Sequence, residues 1–392
     1  MRLFLRRFSH ARLYSRFFLL LSLFILTFIV LLAGCARETA VKPLPAENNE
    51  GQTGEEEKNK NGNDRESPED DAASERADRP GEQIVAEEPA AFSPNELGQV
   101  MVLMYHEIGY PEGEWQRTPE NFRRDLEILY ENGYRAVNLL DLLHNNINLP
   151  AGTTPVVLTF DDSTRGQFHY HEGEDGAVLD PNSAIAILEE FNREHPDFGL
   201  AGTFYIFYPQ PFRQQQHIAK KLAHLVEKGF EIGNHSYSHA NLKGLDAAGI
   251  QQELAQNVAH TQSYLPGYEV LSLALPYGGY PRGDLARYVI EGTYAGASYR
   301  NEAVLLVGAN PAPSPYDKDF NPHRLPRIRA SEMNTQGVGL YDWLTYFEKH
   351  PEKRFVSDGN PATVTVPEHL AESIDREGLG DRILVTYKPG DL

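Results

Sequence analysis

The sequence predicts an α/β fold built on a parallel sheet. Two observations predict it. From about Gly98 onward, short apolar runs alternate with helix-length amphipathic segments, and three polar clusters follow directly on predicted strands. Carboxyl ends of strands are where parallel α/β folds place their sites. A barrel and a doubly wound sheet both fit this pattern, and a folded part of roughly 250–300 residues favours one barrel-sized domain.

The elements follow in order. Residues 100–104 form an apolar run that reads as a strand, 119–132 as an amphipathic helix, 134–137 as a strand, and 156–160 as an apolar strand bounded by polar residues. Residues 181–194 read as helical and 203–207 as extended. A helix over 218–228 stops at Gly229, and 230–232 is extended again. Residues 247–264 form a further helix, 271–275 a strand, and 282–291 a helix ahead of Gly292. Near the carboxyl terminus, 363–366 and 383–387 are candidate strands.

Composition narrows the class. With 392 residues, 41% hydrophobic, 23% charged and one cysteine, the chain is neither collagen-like, polytopic in a membrane, nor stapled by disulfides. Its net charge of −20 argues against nucleic-acid binding, which needs clustered Lys and Arg.

The amino terminus reads as an address. Residues 1–34 carry Arg2, Arg6, Arg7, Arg12 and Arg16 and no acid, and then run apolar from Phe17 to small residues at Ala33-Gly34. That order is the order of an export signal. Leu32-Ala33-Gly34-Cys35 resembles the lipobox of bacterial lipoproteins, so Cys35 is the expected lipidated residue. The expectation is a membrane-anchored domain on the extracytoplasmic face, and an uncleaved signal anchor is the alternative reading. Residues 35–97 are rich in Glu, Asp, Asn, Pro and Gly and read as a disordered acidic tether. The folded domain is then expected over 98–392.

Three clusters carry chemistry. Val156-Val157-Leu158-Thr159-Phe160-Asp161-Asp162 is an apolar strand ending in two acids, whose carboxylates can point in different directions. One can ligate a metal while the other addresses a water; alone, such a pair is as readily a helix cap. Next comes Ile232-Gly233-Asn234-His235-Ser236-Tyr237-Ser238-His239, whose two imidazoles converge on one cation if the segment makes a helical turn. Third, Leu275-Pro276-Tyr277-Gly278-Gly279 can present a backbone N–H to a developing oxyanion, or be a plain turn.

In this order the clusters, with Ala201-Gly202-Thr203-Phe204-Tyr205-Ile206 between the first two and Val102-Leu103-Met104-Tyr105-His106 upstream, resemble the polysaccharide deacetylase family (NodB homology, carbohydrate esterase family 4). The resemblance spans about residues 100–329. It implies a distorted (β/α) barrel with about seven parallel strands. It further implies a divalent metal, most often zinc, held by Asp162, His235 and His239, with Asp161 as general base toward water. The backbone N–H of Tyr277, in the Pro276-Tyr277 turn, would face the oxyanion.

Two features depart from the family pattern. Ala274 stands where the family has an arginine, and the late Leu-x-His segment that supplies the usual general acid has no match. The biofilm poly-N-acetylglucosamine deacetylases resemble this chain in both respects and use an early histidine, which maps onto His106. Arg327 or Arg329 is the candidate replacement for the missing arginine. The insertion over 163–180, with His169, His171, Glu172 and Glu174, reads as a solvated loop, with a lid or a second metal site as the alternative. Tyr105, Trp115, Tyr170, Tyr237 and Tyr280 are candidates for stacking on sugars.

The function expected is metal-dependent removal of N-acetyl groups from an extracellular N-acetylglucosamine-containing polysaccharide. The competing expectation is a surface lipoprotein that binds glycan or a partner without turnover. A glycosidase using Asp161 and Asp162 is disfavoured, because its two carboxylates must flank the scissile bond at about 5–9 Å.

Overall fold

A computed structural model describes residues 83–85, 92–174 and 176–388. The signal-like segment, Cys35 and most of the expected tether lie outside the described residues. Residues 92–97, assigned to the tether from sequence, pack on the domain: Asn95, Glu96 and Leu97 are buried, and Asn95 exchanges backbone hydrogen bonds with Val356. The strand Gln83–Val85 pairs with Ile383–Tyr387.

The main sheet is entirely parallel. Its strands are β1 (Met101–Tyr105), β2 (Tyr134–Ala136), β3 (Thr154–Phe160), β4 (Thr203–Ile206), β5 (Glu231–Asn234), β6 (Ser272–Ala274), β7 (Ala303–Leu305) and β8 (Ile328–Arg329). A path of seven runs β7-β6-β5-β4-β3-β1-β8, and β2 pairs with the start of β3. β7 and the residues ahead of β8 also meet: Leu325 N–H donates to Val304 and Leu306 N–H to Leu325, at 3.0 and 2.8 Å. These bonds curl the sheet into the distorted barrel expected from sequence.

Every residue of β3 is buried, as its unbroken apolar run requires of a strand covered on both faces. The helices follow the strands: α1 (Pro119–Glu131), α2 (Leu139–Leu143), α3 (Ala184–Glu194), α4 (Ile218–Glu227), α5 (Ala247–Tyr264) and α6 (Leu340–Lys349). Side chains of Thr118, Ser183 and Asp246 cap α1, α3 and α5 by accepting backbone N–H groups of the first turn.

Two sequence expectations are corrected. The helix expected over 282–291 is a 3-10 helix, Gly283–Val289, followed by a hairpin of Glu291–Tyr294 with Ala297–Arg300. The insertion over 163–180 is not a solvated loop: Gln167, Phe168, His169 and Tyr170 are buried, and only the hairpin Tyr170–Gly173 with Gly176–Leu179 projects. Gly166 is pressed so close to the Ile108 carbonyl that no β-carbon fits there. Thr363–Pro367 and Ile383–Tyr387 are strands as expected, but with Gln83–Val85 they make a separate three-stranded parallel sheet.

Candidate active site

Register brings the polar clusters together. β1 and β3 pair from Met101 with Val156 to Tyr105 with Phe160, and the Asp161 N–H then donates to the Tyr105 carbonyl at 2.9 Å. β4 and β5 pair up to Ile206 with Asn234, and the His235 N–H continues that ladder onto the Ile206 carbonyl at 3.0 Å. His106, Asp161, Asp162, His235, His239 and Tyr277 all line one cavity of about 800 Å3 at the carboxyl ends of the strands.

The two acids diverge because Asp162 is left-handed, with φ of 73°. Aspartate is among the few residues that tolerate this conformation. Asp161 stays inside the barrel, 1% exposed, while Asp162 faces the cavity with His235 and His239. The two histidines do converge, but not through a helical turn. Ser236 and His239 are left-handed, at φ of 56° and 58°, and the loop is pinned from below by Asn234 and Asn257. The Asn257 side chain donates to the carbonyls of Ile206 and Ser236 at 2.7 and 2.8 Å.

Asp162, His235 and His239 each offer a ligand atom, and these atoms lie within 4.8 Å of one another; among the described residues no other group of three does so. His235 Nδ1 sits 2.8 Å from the Ala274 carbonyl, so Nδ1 carries the proton and donates it there. Its Nε2 lone pair then faces Asp162 Oδ1 at 3.2 Å, and His239 Nε2 is 3.0 Å from the same oxygen. A carboxylate and a lone pair aimed at one point, with the imidazole oriented by a backbone carbonyl, is a donor set that fits a divalent cation.

Asp161 is held by Arg327, not Arg329. The guanidinium donates to both carboxylate oxygens at 2.7 Å and to Thr159 Oγ1 at 3.1 Å, and is itself wholly buried. Burial pushes Asp161 up, yet Arg327, His235 and His106 more than reverse this, so the carboxyl titrates below its ordinary value. Arg329 instead lies over the Trp115 ring at 4.8 Å and pairs with Glu114.

The His106 ring packs on Trp115 with centroids 4.8 Å apart, and its Nδ1 is buried without a hydrogen-bond partner. Burial lowers its pKa, while Asp161 and Asp162 draw it up. Tyr277 is left-handed at φ 57°, 70% exposed, with its hydroxyl 3.0 Å from His239 Nδ1. Pro276 is buried beneath it and does not line the cavity.

Of the five aromatic candidates only Trp115 lines this cavity. Tyr105 is core, stacked on Phe160. Tyr170 is buried under Lys220, Tyr237 stacks on Tyr208, and Tyr280 donates its hydroxyl to the His323 carbonyl. His169 and His171 have ring centroids 5.1 Å apart and Asp180 lies 3.3 Å from His171 Nε2, but they form no metal-ligand group among the described residues.

Sequence reasoning missed Gln167 and Glu107. The Gln167 amide nitrogen donates to the carbonyls of His106 and Asp161 at 2.7 and 2.5 Å, tying together the two strand ends that carry them. Glu107 lines the cavity and accepts the Gly166 N–H at 2.9 Å. Neither belongs to a recognisable motif, and each makes a contact about 60 residues away in sequence.

Residues 149–289 match the family model described as Polysaccharide deacetylase. No curated protein matches the chain. Among solved structures, the chain is similar to the deacetylase PplD from Streptococcus pyogenes in complex with acetate, with 18% identity, 63% of this chain and 99% of that chain covered, and a TM-score of 0.44. It is similar to IcaB from Ammonifex degensii, with 17% identity, coverages of 62% and 97%, and a TM-score of 0.44. A de-N-acetylase from Aggregatibacter actinomycetemcomitans gives 14% identity, coverages of 63% and 99%, and a TM-score of 0.41. Over residues 149–289 the chain thus matches the polysaccharide deacetylase family.

Proposed function

We propose that the chain is a metal-dependent hydrolase that removes N-acetyl groups from an N-acetylglucosamine-containing polysaccharide outside the cytoplasm, anchored through lipid on Cys35. The observation that carries this reading is the convergence, on one open cavity, of three metal-ligand side chains, an arginine-held carboxylate and a histidine. Asp162, His235 and His239 would hold the metal. A divalent metal there, zinc by expectation, would supply Lewis acidity toward water and the acetyl carbonyl.

The chain's own residues divide the proton work. Asp161 takes a proton from the water that attacks the acetyl carbon, and Arg327 keeps it ionised and aimed. The C–N bond then breaks. His106 gives a proton to the departing amine, and acetate leaves. Trp115 fixes the His106 ring from one side, and Gln167 fixes the backbone of both His106 and Asp161. The Tyr277 backbone, strained into its left-handed turn at the cavity wall, is assigned to the developing oxyanion.

Acetate release from N-acetylglucosamine oligomers tests the reading. The expected result is release that a chelator abolishes and added zinc restores, and that both Asp161→Asn and His106→Ala suppress. Bound metal without acetate from any N-acetylated glycan would instead identify a binding lipoprotein.

A further inference from the structure

The two histidines of the candidate metal site are held by different means. His235 is buried, and its Nδ1 faces the backbone carbonyl of Ala274 at 2.8 Å. His239 stands nearer the rim, its side chain 21% exposed, and its Nδ1 faces the Tyr277 hydroxyl at 3.0 Å. A backbone carbonyl is present whatever residue carries it. A phenol oxygen is there only because position 277 is tyrosine.

The turn that carries Tyr277 is shaped to deliver that oxygen. Left-handed backbone is uncommon for so bulky a residue and persists only where its surroundings enforce it. The Gly278 N–H donates to the Leu275 carbonyl and the Gly279 N–H to the Pro276 carbonyl, both at 3.0 Å, and these bonds close the turn around Tyr277. Gly279 lies so close to the Asn241 side-chain amide that a β-carbon there would overlap its oxygen, so the turn is seated on the chain two residues past His239. The tyrosine ring then meets the His239 imidazole with centroids 4.7 Å apart and planes at 61°, and Phe207 packs on the same imidazole with centroids 5.0 Å apart.

The position of the imidazole proton fixes the sense of this pair. His239 Nε2 points at Asp162 Oδ1 at 3.0 Å, the same oxygen that His235 Nε2 approaches at 3.2 Å. An imidazole that ligates through Nε2 keeps that nitrogen bare and its proton on Nδ1, where an acceptor must hold it. The Tyr277 oxygen stands at that place, and a residue 70% exposed has solvent for its own hydroxyl proton.

We propose that Tyr277 is a positioning residue for the metal site: its hydroxyl oxygen accepts the His239 Nδ1 proton and so holds the Nε2 lone pair toward Asp162 and His235. The proposal rests on the reading of Asp162, His235 and His239 as metal ligands. It gives the Pro276-Tyr277 turn a role through its side chain that is separate from the backbone N–H assigned to the oxyanion.

The test titrates zinc into the metal-stripped full chain in competition with a chromophoric chelator. Tyr277→Phe keeps the ring and the backbone and loses only the oxygen, and its zinc affinity is expected to fall by about 10- to 100-fold, the usual effect of losing a partner that orients a ligating imidazole. Tyr237→Phe removes a hydroxyl from the same loop, on a ring that stacks on Tyr208, and is expected to bind zinc as the wild type does. Cobalt in place of zinc gives a second readout, because its visible absorption reports the donor set and is expected to change in Tyr277→Phe alone. Urea midpoints of the metal-free variants are expected to match the wild type, which separates positioning of a ligand from loss of folding. Wild-type zinc affinity with an unchanged cobalt spectrum in Tyr277→Phe, or an equal loss in Tyr237→Phe, would overturn the proposal and leave the metal site standing. A wild-type chain that takes up neither zinc nor cobalt would overturn the metal-site reading itself, and the proposal with it.

Discussion

Two buried arginine–aspartate pairs sit among the described residues, and they differ in what the carboxylate faces. Asp125, on α1, takes two bonds from Arg117 at 2.8 and 2.5 Å, and its oxygens also accept the hydroxyls of Tyr341 and Tyr105 at 2.7 and 3.3 Å. Asp161 takes two bonds from Arg327 at 2.7 Å and turns toward a cavity shared with His106 and the candidate metal-ligand trio. Burial raises Asp125, and Arg117 and the tyrosines offset this only in part, whereas Asp161 is drawn below its ordinary value by Arg327 and two imidazoles. An arginine partner therefore does not mark a functional acid. On the proposed function, the open side of the carboxylate does.

Substitution of the acids should separate the pairs most widely. Asp161→Asn keeps the size of the side chain and removes the base, and acetate release should fall by about 10²–10⁴, the usual worth of a positioned base. Asp125→Asn should leave acetate release within a few fold of the wild type and lower the midpoint of denaturant unfolding. A large loss of turnover in Asp125→Asn at unchanged stability would erase the distinction.

Substitution of the arginines should make the pairs look alike in stability and different in chemistry. Arg327→Ala and Arg117→Ala each leave a buried carboxylate uncompensated, and each should cost about 3–5 kcal/mol in equilibrium unfolding. Only Arg327→Ala should also shift the acidic limb of the pH profile for kcat/KM upward, because Asp161 then loses the group that draws its pKa down.

Two smaller effects sharpen the comparison. Trp115→Ala removes the ring that holds His106, and the expected loss is about 0.5–1.5 kcal/mol of transition-state stabilisation, read from kcat/KM. Glu96 is a third buried acid, held by the Thr365 backbone N–H at 2.7 Å with no guanidinium bonded to it; burial and the nearby Asp358 push it up to about 8. Its folded pKa exceeds its unfolded value near 4.5, so the folded state binds the extra proton between those limits. Stability should therefore be fully supported below about pH 4.5 and fall as pH rises toward 8, with a slope of at most about 1.4 kcal/mol per pH unit. Glu96→Gln should flatten that slope in urea midpoints measured across the range.

Much of this arrangement was legible in the sequence, and the failures have physical causes. The helix over 247–264 and the strand pairs before Asp161 and His235 were readable because apolar period and polar boundary agree there. β8 was not, since two residues are too short to show a period, and β7 was passed over although it lies in a short apolar run. The choice between Arg327 and Arg329 was also hidden. Residues two apart on an extended chain share a face, so both point toward the same side, and depth alone separates the buried Arg327 from the half-buried Arg329 at the rim. His235 and His239 were correctly paired for the wrong local reason, because left-handed Ser236 and His239 replace the expected helical turn. Gln167 left no local signal of its role, being defined by backbone contacts to His106, far away in sequence, and to the nearby Asp161.

The most direct test of the account measures bound metal and acetate release together, on the same dialysed protein, for the wild type and His239→Ala. One equivalent of divalent metal with acetate release in the wild type, and loss of both in His239→Ala, is the result the account predicts. Acetate release that survives in His239→Ala without metal, or wild-type protein that releases acetate after complete metal removal, would contradict it.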